Sequence, residues 1–136
     1  MDFKQNTESL GMAEPFAHSK DGEEPGHWQP LEKHLKCVAE LASSFAGVFK
    51  SELWLKVAGI LHDAGKAHPD FQAYLKKALS IDASECDDTE TVSHPNHSGA
   101  GAILAYERWP NIIGKTIGYI VAGHHAGLPD WFGGRD

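Results

Sequence analysis

The sequence predicts an all-α fold, a bundle of helices with a metal centre between them. Three observations carry this reading. Apolar residues recur at helical spacing in segment after segment, with no strand alternation, internal repeat or domain linker. The 136 residues include nine histidines, more than chance would supply. Several of those histidines gather where helices begin or end, beside glycine or small residues.

Size and composition fit one ordinary globular domain, with 41% hydrophobic and 23% charged residues. A formal net charge of -7 excludes the global basic surface that draws proteins to nucleic acid by charge alone. An anionic substrate would have to be met by bound cations or a local basic patch. The two cysteines, Cys37 and Cys86, are far apart and form no CxxC, so no disulfide framework is expected and a reducing cytoplasm is the default. No stretch approaches the ~18 apolar residues of a membrane span. Met1-Asp2-Phe3-Lys4-Gln5 lacks the basic-then-apolar order of a signal peptide.

Residues 1 to 26 are polar and punctuated by Pro15, Gly22, Pro25 and Gly26, which predicts an irregular N-terminal arm before a domain over 27–136. His18 and His27 read as surface histidines of that arm. Pro30 suits the first turn of a helix, with Leu31, Leu35, Val38, Leu41, Ala42 and Phe45 on its apolar face and Gly47 at its end. His34 falls on the inward side. It is either a core-edge histidine satisfied by a carbonyl or an inward-aimed ligand. Ser51 can cap a second helix that buries Leu53, Trp54, Val57, Ile60 and Leu61 and delivers His62-Asp63 at its C-terminal end. Gly65 is expected to let the backbone leave the helix. His68-Pro69 opens a third helix with Phe71, Tyr74, Leu75 and Leu79 on one face.

Residues 81 to 93 hold Asp82, Glu85, Asp87, Asp88 and Glu90 without a basic partner, which reads as a solvated loop. Their spacing does not match an EF-hand. Pro95 keeps His94 extended. The small residues after His97 suit the start of a closely packed fourth helix, which runs to about Arg108 and is broken by Trp109-Pro110. A fifth helix carries Ile112, Ile113, Ile117, Ile120 and Val121 and ends in Gly123-His124-His125-Ala126-Gly127, followed by a loop to Asp136.

The chemistry centres on His62-Asp63. Imidazole offers a neutral nitrogen donor, and a carboxylate can bridge two cations. A polar helix cap is the plain alternative for this pair taken alone. His97, at the start of one helix, and His124-His125, at the end of another, supply what a site between helices needs. Imidazoles with one carboxylate favour Fe, Mn, Co, Ni or Zn over calcium, and the lack of paired cysteines argues against structural zinc. Two metals about 3.5–4 Å apart, bridged by a carboxylate, suit phosphoester hydrolysis.

The order His34, His62-Asp63 and later histidines resembles the HD-domain metal-dependent phosphohydrolase superfamily. Leu61-His62-Asp63-Ala64-Gly65-Lys66, Phe71-Gln72-Ala73-Tyr74-Leu75, His97-Ser98-Gly99-Ala100 and Gly123-His124-His125-Ala126-Gly127-Leu128 resemble, over roughly residues 16 to 131, the HD nuclease domain of the type I CRISPR-associated nuclease-helicase. The Phe-Gln and His-His pairs separate it from nucleotide-cleaving relatives. The resemblance implies a helical domain with up to two divalent ions, Mg²⁺ among the candidates, that cuts single-stranded DNA. It also implies a helicase domain in the same or a separate chain and an RNA-guided surveillance complex as partners. Carried over by position, His34 and His62 would ligate the first metal, Asp63 would bridge both, and His97, His124 and His125 would complete the second, with His94 a rival for His97. Lys66 would hold the scissile phosphate or stabilise transition-state charge; a solvated lysine past a helix end is the plain alternative.

One departure stands out. The family carries a further aspartate on a later helix, and neither Asp130 nor Asp136 sits in that motif. The chain is therefore expected to be an N-terminal portion, with the first metal position weak or empty and a possible self-association that covers apolar surface. Two other activities fit the same residues: hydrolysis of nucleotides or cyclic nucleotides, and metal binding without catalysis.

Overall fold

A computed structural model describes residues 14–20, 22–81, 95–128 and 130; the expected acidic loop, His94 and most of the C-terminal tail lie outside these. The architecture is helical. Among the described residues five helices follow one another: α1 (Leu31–Ala46), α2 (Glu52–Leu61), α3 (Pro69–Ile81), α4 (Ser98–Arg108) and α5 (Ile112–Gly123). Among the described residues, no helix is long and apolar enough to cross a membrane.

Each helix begins and ends for a local reason. Pro30 stands immediately before α1, and the chain continues past Gly47 in a 3-10 turn (Gly47–Phe49) before Lys50 turns it with φ 53°. Ser51 occupies the N-cap of α2, yet its hydroxyl donates to Phe49 O rather than accepting from the helix. Asn111 caps α5, its side chain accepting from Ile113 N at 2.9 Å. Pro110 separates α4 from α5.

The main core is small-residue packing. Ala58, Ala105, Ile117 and Val121 form it, flanked by Val57, Leu61, Ala102, Trp109, Ile113 and Ile120. α1 and α2 meet where Gly59 faces Ala39; a Cβ on Gly59 would lie 2.6 Å from Ala39 Cα. Two expected faces are corrected. Phe45 is 68% exposed and Leu53 is 70% exposed, and Leu41, Trp54 and Ile60 are exposed as well. The stripes exist, but α1 turns Ala39 and Ala46 inward instead. The apolar side of α2 joins Leu104 and Trp109 to line an open groove of about 540 Å³.

Within the irregular arm expected over 1–26, the described residues include a short strand. Phe16–His18 (β1) pairs antiparallel with Gln29–Pro30 (β2), and Ala17 is buried. Three residues are too few for alternation to show in sequence. A second apolar cluster lies beneath: Trp28, Phe71 and Leu75, with Phe16 and Tyr74 against it. Gln72 fastens β1 to it. Its Oε1 accepts from Phe16 N at 3.0 Å, while its Nε2 donates to Phe16 O at 2.9 Å and to Lys66 O at 2.7 Å. Gln72→Ala leaves these partly buried backbone groups without those partners, and is expected to cost about 1–3 kcal/mol in a urea melt.

Candidate metal centre

The helix ends converge on one carboxylate. His62 is the C-cap of α2, His97 the N-cap of α4 and His124 the C-cap of α5. A helix C-terminus leaves carbonyls without intrahelical donors. His62 Nδ1–H donates to Gly59 O at 2.7 Å, and His124 Nδ1–H donates to Val121 O at 2.6 Å. Each bond fixes the ring and leaves Nε2 as the atom presented to the site.

Asp63 lies at the centre, 3% exposed. Its Oδ2 is 3.1 Å from His34 Nε2 and 3.2 Å from His62 Nε2. Its Oδ1 is 3.3 Å from both His97 Nε2 and His124 Nε2. His125 completes the second side, its Nε2 lying 2.7 Å from His97 Nε2. The two carboxylate oxygens thus face two different imidazole sets. Every residue expected from sequence to ligate metal is brought here; the rival His94 lies outside the described residues.

The donor set fits a metal. Oδ1 of Asp63 is buried and accepts no hydrogen bond, although two imidazole nitrogens stand within 3.3 Å of it. His34 Nε2 and His62 Nε2 are 3.2 Å apart. Nitrogens bonded to one cation at about 2.0–2.1 Å are separated by roughly this distance. Asp63, His97, His124 and His125 offer ligand atoms within 4.8 Å of one another, and so do His18, His34 and Asp63. His18, read from sequence as a surface histidine, is exposed, yet β1 brings its ring beside His34; the signal for that placement is the apolar Phe16-Ala17 pair next to it.

For Lys66 the geometry removes the plain alternative of a solvated lysine. It is 5% exposed, not solvated. Its Nζ contacts Asp63 Oδ2 at 2.9 Å and donates to Ala17 O at 3.2 Å, with the Phe71 ring centroid 5.6 Å away. The ammonium is committed to the carboxylate and to β1. Gly65 differs from expectation. It lies in a 3-10 turn (Ala64–Ala67) without positive φ, and its value is steric: a Cβ would meet His97 O at 2.2 Å.

Charge is distributed to suit ligation. Burial opposes ionisation of Asp63, but hydrogen bonds from His62 and Lys66 outweigh it and hold the carboxyl well below the usual range. Burial lowers the pKa of His34 and of His97, favouring the neutral donor form. For His62 burial also works against charge, yet bonds to Asp63 and Gly59 O prevail and raise it. Metal entry at a protonated His62 displaces that proton. Calorimetry of metal binding near pH 7 in buffers of different ionisation enthalpy is expected to show proton release, shrinking as pH rises and His62 is already neutral.

A helical domain whose helix termini place imidazoles on both sides of one aspartate defines a metal-dependent phosphohydrolase of the HD class. The match is more specific than the class: the model of the family described as Cas3, HD domain, matches residues 17–132, and the chain belongs to that family. Membership gives it a metal-dependent HD phosphohydrolase or nuclease domain in a CRISPR context. No curated protein matches the chain at a significant level.

Proposed function

We propose that this domain cleaves phosphodiester bonds of single-stranded DNA in type I CRISPR interference, acting in the cytoplasm with a helicase domain and an RNA-guided surveillance complex. One observation carries the reading: each oxygen of Asp63 faces its own set of imidazoles. His34, His62 and Oδ2 would hold one divalent ion; His97, His124, His125 and Oδ1 would hold the second. Fe, Mn, Co, Ni and Zn suit these donors, with Mg²⁺ an alternative. Bound cations would supply an activated water and polarise the phosphoryl group.

The remaining work falls to the chain itself. Lys66 positions Asp63 and β1 rather than reaching solvent. The carbonyl-anchored rings of His62 and His124 keep Nε2 aimed at the carboxylate. With a net charge of -7, the protein needs cations at this site to receive a phosphate.

Circular single-stranded DNA incubated with the protein and Mn²⁺, Ni²⁺ or Mg²⁺ tests the proposal, with nucleotides and cyclic dinucleotides in parallel. Cleavage of the circle is the expected result. Turnover of nucleotides alone would favour the small-molecule phosphohydrolase, and metal uptake without any turnover would favour a non-catalytic metal-binding domain.

A further inference from the structure

β1 brings the exposed His18 within ligand-atom reach of His34 and Asp63. The strand is held there by four distinct links. Gln72 brackets Phe16 through both its N–H and its carbonyl, Lys66 donates to Ala17 O, and Leu31 N donates to Pro15 O at 2.8 Å. Ala17, next to His18, is 1% exposed, which fixes the backbone from which that imidazole projects. The rings of His18 and His34 meet edge to face, centroids 5.0 Å apart at 84°. Ligand atoms of His18, His34 and Asp63 lie within 4.8 Å of one another.

We propose that His18 is a ligand of the first metal position, joining His34, His62 and Asp63, and that Gln72 and Lys66 hold β1 so that it can bind. The inference rests on the two-position reading of Asp63 given above. It also revises the expectation of a weak first position, which arose because a further aspartate was unmatched. A neutral imidazole is a good donor for the same transition metals. Two residues of the HD segment and its following helix, Lys66 and Gln72, therefore act on the site by fastening a strand almost fifty residues upstream, since Lys66 and Ala17 are separated by 49 positions.

The test uses Co²⁺ as probe and reads stoichiometry by elemental analysis, affinity by calorimetry and coordination by visible absorption. His18→Ala is expected to weaken one of two bound ions by about 10-fold or more, alter the Co²⁺ spectrum and leave the other ion unchanged. Added imidazole is expected to restore the spectrum in part, which a purely structural role would not allow. His125→Ala is expected to weaken the other ion. Two ions bound as tightly in His18→Ala as in the parent, or a parent that binds one ion indifferent to His18→Ala, would overturn the proposal. Loss of both ions in Asp63→Asn alongside either result leaves the bridging reading intact; retention of both ions in Asp63→Asn defeats that reading itself. Circular dichroism melts accompany each variant, and Gln72→Ala, which keeps His18, is expected to weaken the same ion as His18→Ala.

Discussion

Asp63→Asn is expected to abolish uptake at both metal positions and to reduce phosphodiester cleavage far beyond the ~10–100-fold that loss of an outer partner costs. Asparagine preserves size but replaces a charged oxygen with an amide, so one of the two faces loses its anionic donor and neither keeps the charge. The substitution also strands Lys66. Its ammonium, with 6% side-chain exposure, would retain Ala17 O but lose the carboxylate 2.9 Å away. Breaking a buried pair from one side typically costs about 3–5 kcal/mol. Stability and metal loss can be separated by adding Lys66→Met. The double variant is expected to regain much of the melting temperature in metal-free buffer while binding no metal. A single Asp63→Asn protein that still takes up two ions would contradict the bridging role.

Gly101→Ala is expected to be nearly as severe, by an unrelated route. A Cβ at 101 would stand 1.9 Å from Leu61 O, the backbone at the end of α2, and no side-chain rotation can relieve it. Helix α4 would have to move off α2, at about 3 kcal/mol or more. Gly99→Ala, two residues earlier, meets nothing within 4 Å and is expected to be neutral or stabilising, because alanine is the better helix former by about 1 kcal/mol. Paired urea melts of the two variants check this. Gly65→Ala would act between these themes: a Cβ against the His97 backbone displaces that histidine from Asp63, so melting temperature and metal uptake should fall together.

Much of this was readable from the chain. Pro30, Trp109-Pro110 and the glycine-flanked histidines mark helix limits through local backbone chemistry, which sequence states directly. The candidate ligands were readable because imidazole beside glycine at a helix end is an unusual pattern. The faces were not. Phe45 and Leu53 lie on sound helical stripes, yet a stripe does not say which neighbour covers it, and here α1 and α2 approach through Ala39 and Gly59. β1 was invisible because three residues carry no period, and its placement depends on Gln72 at a separation of 56 positions. Gly65 was noticed for conformational freedom, whereas its role is the space it leaves for His97, a contact that only tertiary structure reveals.

The pairing of histidines across Asp63 has a topological consequence. His34 and His62 are 28 residues apart, and so are His97 and His125. A cation shared by either pair ties off a loop of that length, much as a disulfide would. Cross-links of this span remove roughly 3–4 kcal/mol of chain entropy from the unfolded ensemble in the loop-closure treatment. The two ties share one knot, Asp63. A metal held here would thus fasten the chain as well as serve the proposed chemistry, and the protein without it would be looser as well as idle.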